Sequence, residues 1–233
     1  MQELTFILDD LRGKIVVEDN EHLDAETLRI LENHLGEAQE IACARPLEIL
    51  LPPPTVSIKD FAEKQFVRIA GFYHNSLTEG PGRRSSVLFQ FCPLKCKGCY
   101  VPQLHSNEAG ELISVEKLTD LLLDSNFERD GVTILGGEPF AQPEGLNALV
   151  KKLRSKSCPH IVCYSGYTLE TLRENAETQT AIGKVLNEID ILIDGAYVES
   201  FSSGASLWTG SGNQRVIDLV ETRKSGRTIL YRS

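Results

Sequence analysis

The chain has 233 residues, 41% of them hydrophobic and 24% charged, with a formal net charge of −9. This suits one fair-sized globular domain with a small appendage, and the acidic balance argues against broad nucleic-acid binding, which needs a basic surface. No apolar run approaches the ~20 residues that span a bilayer, and Met1-Gln2-Glu3-Leu4 opens no basic-then-apolar signal peptide, so a cytoplasmic location is expected.

From the N-terminus, Thr5 to Leu8 and Lys14 to Val17 are short apolar runs on either side of Arg12-Gly13 and read as a hairpin. Asp24 stands where a helix N-cap would, ahead of Leu28, Leu31 and Leu35 at helical spacing. Leu47 to Leu51 reads as a further strand. It is stopped by Pro52-Pro53-Pro54, which can continue neither helix nor sheet. A domain boundary is placed there, with residues 1–54 as a small α/β accessory module and 55–233 as the main domain.

Beyond the prolines, strands and helices alternate. Ser86 to Phe91 reads as a strand ending in Cys92, Val115 to Leu123 as a helix, and Val132 to Leu135 as a buried strand ending in Gly136-Gly137. Leu146 to Leu153 is helical, and His160 to Tyr164 is a strand ending in Ser165-Gly166. Leu169 to Leu186 is mostly helical, Ile189 to Ile193 is a strand ending in Asp194-Gly195, and Arg215 to Leu219 suits another strand. This order predicts an α/β fold with a mainly parallel sheet. The region is short for a complete eight-fold barrel, which needs ~250 residues, so an incomplete, open β/α barrel fits better. Cys92, Gly136-Gly137-Glu138, Ser165 and Asp194 then share the rim formed by the strands' carboxyl ends, where sites gather in such sheets.

Of six cysteines, three are clustered: Cys92, Cys96 and Cys99, spaced C-x3-C-x2-C. With no secretory signal a disulfide framework is not expected, and a metal centre is the natural reading. Three thiolates on a [4Fe–4S] cluster leave one iron open to a second molecule, since an all-cysteine cluster takes four. From spacing alone, other readings stay open: a zinc site completed by His105, an electron-transfer cluster completed by Cys158 or Cys163, or buried free thiols. One β-α unit downstream, Leu135-Gly136-Gly137-Glu138-Pro139 follows a strand. Its glycines let backbone approach a ligand closely, and Glu138 supplies an acceptor for an ammonium group.

Together these motifs resemble the radical S-adenosylmethionine superfamily, and within it the activating proteins of anaerobic ribonucleotide reductase. Cys92 to Cys99 matches the cluster motif with the Gly98-Cys99-Tyr100 ending of that branch. Glu79-Gly80-Pro81-Gly82-Arg83 matches the Gly-Pro-Gly-x-Arg segment of glycyl-radical activating enzymes. Tyr164 to Thr168, Asp190 to Gly195 and Gly212-Asn213-Gln214-Arg215 add support, and the likeness runs from about Gly71 to Leu219. Gly98 stands where the superfamily usually has an aromatic residue, Val101 stands where the branch often has Asn, and the N-terminal segment is extra.

The resemblance implies a barrel of the radical S-adenosylmethionine type. It implies that Cys92, Cys96 and Cys99 hold three irons, that the amino and carboxylate groups of S-adenosyl-L-methionine chelate the fourth, and that Gly136, Gly137 and Glu138 orient the amino group. Tyr100 is placed beside the adenine, with Ser165 and Asp194 toward the ribose or carboxylate. One electron, from a donor such as a flavodoxin, would release a 5′-deoxyadenosyl radical that abstracts hydrogen. The partner would be a glycyl-radical enzyme, with a small molecule or another peptide as the alternative substrate. No catalytic acid–base pair is required, and neither nucleic acid nor membrane is expected as a partner. Arg83 is read equally as steering a partner or as an exposed structural arginine. Cys43, Cys158 and Cys163 are read as buried thiols, and Trp208 as a packing residue.

Overall fold

In a computed structural model, residues 65–232 are described, together with two strands nearer the N-terminus. Those strands, β1 (Phe6–Asp9) and β2 (Lys14–Val17), pair antiparallel as the expected hairpin. The helix expected after Asp24, the strand at Leu47 to Leu51 and the boundary near Pro54 lie outside the described residues. The chain divides into two compact units, Met1–Lys64 and Gln65–Ser233.

The second unit is built on a seven-stranded open sheet of β3 (Phe66–Ser76), β4 (Arg84–Phe89), β5 (Glu111–Ser114), β6 (Gly131–Gly136), β7 (Ile161–Ser165), β8 (Ile191–Asp194) and β9 (Arg215–Asp218). Their order is β5-β3-β4-β6-β7-β8-β9. The inner run β4-β6-β7-β8 is parallel, as β-α-β alternation demands, while β3, β5 and β9 join antiparallel. The sequence reading missed β3, whose pairing with β4 is broken by two register shifts. Such bulges scramble the two-residue alternation by which a strand is recognised.

Five helices follow: α1 (Val115–Leu122), α2 (Pro143–Ser155), α3 (Leu169–Ala176), α4 (Thr180–Glu188) and α5 (Leu219–Ser225). Ser114, Thr168 and Asp218 cap α1, α3 and α5, each accepting a backbone N–H from the first turn. The mostly helical stretch expected over Leu169 to Leu186 is two helices, with Glu177 to Gln179 turning the chain between them. Leu118, Leu149, Leu172, Val185 and Leu219 pack with Val87, Ile134, Cys163, Leu192 and Ile217 of the sheet in one core on a single face. Since side chains alternate along a strand, Val162, Ile191 and Ile193 point to the other face. Among the described residues no helix joins them there; Tyr164, Trp208, Val216 and Tyr231 do. Among the described residues no helix is long and apolar enough to cross a membrane.

Arg83 and Arg84 part company. Arg83 is exposed, 3.6 Å from Glu128. Arg84 is fully buried at the start of β4, donating to Thr133 Oγ1 (3.0 Å) and to the carbonyls of Pro81, Val132 and His160 (3.2, 2.6 and 3.2 Å). Desolvation lowers its pKa to about 10. It ties three parallel strands together at the end opposite the cysteines.

Candidate metal and cofactor site

The strand before the cysteine loop ends two residues earlier than expected. β4 ends at Phe89, and Phe91 takes a left-handed φ of 77° that turns the chain away before Cys92. Lys95 (φ 46°) and Gly98 (φ 72°) repeat the reversal, and Cys99 N–H donates to the Cys96 carbonyl at 3.2 Å. The chain is thereby wound so that all three cysteines occupy one short loop. Each is partly buried and none is in a disulfide. Burial raises the pKa of the Cys92 thiol, while backbone N–H groups of Leu94 and Lys95 act the other way by favouring its thiolate. Buried Gln90 anchors the far side of the loop, its amide donating to the carbonyls of Gln103 and Ser106 at 3.1 and 2.8 Å.

The Gly136-Gly137-Glu138 turn lies directly against the residues that lead into Cys92. Gly137 N–H donates to Phe89 O, and Glu138 N–H to Phe91 O, both at 2.8 Å. Gly136 has a φ of 108°, and a Cβ on either glycine would strike β4 backbone or its continuation, at 2.7 Å from Phe89 N and 2.2 Å from Phe91 O. Only glycines permit this approach. The Glu138 carboxylate is fully buried and turned inward. It accepts from Phe140 N–H (3.0 Å), Gly166 N–H (2.8 Å) and Ser165 Oγ (3.0 Å). Desolvation outweighs these donors and raises its pKa to about 7.

Ser165 and Asp194 end β7 and β8 side by side, paired in register. Ser165 donates to Glu138 and accepts from Tyr167 N–H at 3.0 Å. Asp194 is buried, accepts from Leu169 N–H at the start of α3 (2.7 Å), and pairs with Arg215 Nε at 2.9 Å. Arg215 also grips Glu170 of α3. Tyr100, beside Cys99, is 71% exposed. Its ring centroid lies 5.0 Å from that of Tyr197, which also hydrogen-bonds it. The β8–β9 connection thus rests on the cysteine loop. Glu199 from the same connection occupies the space a side chain on Gly98 would need, with its carboxyl carbon 2.6 Å from a Cβ built there.

Residues 78–217, which span all of these groups, match the model of a family described as a 4Fe-4S single cluster domain. The chain belongs to this 4Fe–4S family. The anaerobic ribonucleoside-triphosphate reductase-activating protein of Salmonella typhi is 30% identical over 158 residues, covering 64% of this chain and 97% of that one. The pyruvate formate-lyase-activating enzyme of Clostridium pasteurianum is 29% identical over 159 residues, covering 66% and 62%. QueE from Escherichia coli aligns with a TM-score of 0.39 and 18% identity over 44% of this chain and 53% of that one, too distant to carry the fold assignment.

The donor set fits the single cluster of this 4Fe–4S family: three partly exposed, unpaired thiols on one loop. Among the described residues the two further thiols, Cys158 and Cys163, are buried in the helical core. His105 follows the loop in a short 3-10 turn, its Nε2 buried and unbonded. Among the described residues no three His, Cys, Asp or Glu side chains are already drawn together as a metal site. Sequence reasoning missed Gln90, Arg215, Tyr197 and Glu199 as parts of this architecture. Only Arg215 carried a signal, in the Gly212 to Arg215 stretch; the others act through contacts remote in sequence.

Proposed function

We propose that the chain is a radical S-adenosylmethionine enzyme that activates a glycyl-radical protein, with an anaerobic ribonucleotide reductase as the most similar partner. Its open sheet is then the β/α part of an incomplete barrel. The observation that carries this reading is the contact of the Gly136-Gly137 turn with Phe89 and Phe91, which packs the Gly-Gly-Glu turn against the chain leading into the cysteine loop. Bound together, a [4Fe–4S] cluster and S-adenosyl-L-methionine supply reductive C–S cleavage and hydrogen abstraction.

Cys92, Cys96 and Cys99 would hold the cluster. Gly136 and Gly137 offer backbone to the amino acid end of S-adenosyl-L-methionine, and Glu138 holds that turn in shape from the inside through Phe140, Ser165 and Gly166. Ser165 and Asp194 act in the same way, Ser165 on Glu138 and Asp194 on Arg215, so both position the rim. Tyr100 has an exposed face next to Cys99 on which an adenine can stack. A one-electron carrier such as a flavodoxin is the proposed donor. A reducing compartment such as the cytoplasm suits thiols that must remain unpaired.

The test is anaerobic reconstitution with iron and sulfide, reduction, and addition of S-adenosyl-L-methionine, with Cys96→Ala alongside. 5′-Deoxyadenosine from the wild type and none from the variant is the expected result. Zinc in place of iron in anaerobically prepared protein would overturn the reading.

A further inference from the structure

Gly98 lies in the turn that the Cys99 N–H to Cys96 O bond closes, and its missing side chain leaves room for a charge from elsewhere in the chain. The Glu199 carboxyl group fills that room. Its Cδ and Oε1 lie 2.6 and 2.7 Å, and its Cγ 3.0 Å, from a Cβ built on Gly98. With a Cα–Cβ bond of about 1.5 Å and about 3.8 Å between successive Cα atoms, the carboxyl carbon is at most about 8 Å from the Cys99 Cα. The same charge reaches the far side of Cys99. The Tyr197 hydroxyl has its pKa raised first by its hydrogen bond to Tyr100 and in smaller part by Glu199.

The backbone that carries Glu199 is braced. Glu199 opens a 3-10 turn over Glu199–Gly204. Just before it, Val198 N–H donates to the Oγ of fully buried Ser211 at 3.2 Å, and within it Phe201 O accepts from Gly212 N–H at 2.9 Å. The Gly210 to Gly212 segment is fastened in turn by Gln214, whose Oε1 accepts from Gly210 and Ser211 N–H (2.7 and 3.1 Å) while its Nε2 donates to Gly195 O at the end of β8 (2.8 Å). A carboxylate on such a base keeps a fixed place against the cysteine loop.

We propose that Glu199 sets the reduction potential of the cluster held by Cys92, Cys96 and Cys99, its carboxylate lowering that potential so that the stored electron is more reducing. Reduction adds one negative charge at the cluster, and a fixed negative charge nearby opposes it; net charge is among the factors by which proteins set such potentials. The inference rests on the cluster site of the reading above and not on which protein is activated. Glu199 is exposed, so water screens its charge and the effect is several-fold rather than larger. Exposed Lys95 and Lys97 carry the opposite charge on the same loop, but they are common to wild type and variant, so the difference between the two reports Glu199 alone.

The test is an anaerobic redox titration of the reconstituted full chain, followed by electron paramagnetic resonance without S-adenosyl-L-methionine, for wild type, Glu199→Gln and Glu199→Lys. At a fixed applied potential the ratio of reduced to oxidised cluster should be at least about fivefold higher in Glu199→Gln, a rise of ~40 mV for one electron, and higher again in Glu199→Lys. The gap between wild type and Glu199→Gln should narrow between about 0.01 M and 1 M salt, because a charge is screened and a change of shape is not. Equal potentials in wild type and Glu199→Gln, or a gap that neither follows charge nor responds to salt, would overturn the proposal. Loss of iron from Glu199→Gln would overturn it as well, making Glu199 a prop of the loop. The expected shift in protein that never forms 5′-deoxyadenosine would sustain Glu199 and overturn the radical reading, and zinc in place of iron would overturn both.

Discussion

Gly137 lies so close to Phe91 that a Cβ on the glycine would come within 2.2 Å of the Phe91 carbonyl oxygen. The obstacle is backbone, which cannot swing aside as a flexible side chain can. Gly137→Ala must therefore push the Gly136–Glu138 turn off the approach to Cys92 and break one or both of its hydrogen bonds to Phe89 and Phe91. We expect a loss of about 3 kcal/mol in denaturant unfolding, and weaker S-adenosyl-L-methionine binding to whatever remains folded. Wild-type stability in this variant would show that the turn is not held as described.

Glu138 makes stability depend on pH. Its folded pKa of about 7 lies above the usual 4.5, so the folded state holds the proton more tightly than the unfolded chain. The contribution is full below pH 4.5 and is lost as pH rises to about 7, on the order of 3 kcal/mol. Glu138→Gln cannot titrate. Although its single amide oxygen replaces two acceptors and lowers stability by a constant amount, the wild-type-minus-variant difference should fall across this window. A difference that stays flat between pH 4.5 and 8 would contradict this account.

Arg215 holds a buried carboxylate. The Asp194 side chain is 1% exposed and depends on Arg215 for its charge partner. Arg215→Ala should cost about 3 kcal/mol, the low end for a broken buried pair because the arginine itself is partly exposed. Adding Asp194→Asn should recover part of that loss, and thermal unfolding of the two single variants and the double variant would measure the coupling.

Cys158 and Cys163 sit in the helical core, and burial raises the pKa of both thiols. Their removal should leave cluster binding intact. Cys158→Ala and Cys163→Ala are expected to lower stability by about 1 kcal/mol each while retaining wild-type iron per chain. Iron loss comparable to that of Cys96→Ala would make either thiol a ligand.

The local motifs were legible because their chemistry is contiguous. C-x3-C-x2-C puts three thiols on one loop whatever surrounds it, and a Gly-Gly-Glu turn after an apolar strand marks a strand's carboxyl end. The parallel strands could be read because buried strands are short apolar runs. Arg84 could not be told from Arg83, because two adjacent arginines differ only once alternation along β4 sends one into the sheet and the other to solvent.

By itself the sequence determined that three cysteines share one short loop, that the core of the sheet is parallel, and that Gly136, Ser165 and Asp194 end strands, all properties of neighbouring residues and of period. Tertiary structure alone decided that Glu138 turns inward to Ser165 and Gly166, that Asp194 belongs to Arg215, and that Glu199 and Tyr197 rest on the cysteine loop. Each of these pairings joins residues about twenty to a hundred positions apart, and the side chain facing a given carboxylate is settled by strand order and register. The same holds for Trp208, whose packing on Val162, Ile191 and Ile193 required β7, β8 and β9 to lie side by side before its turn had a surface to rest on.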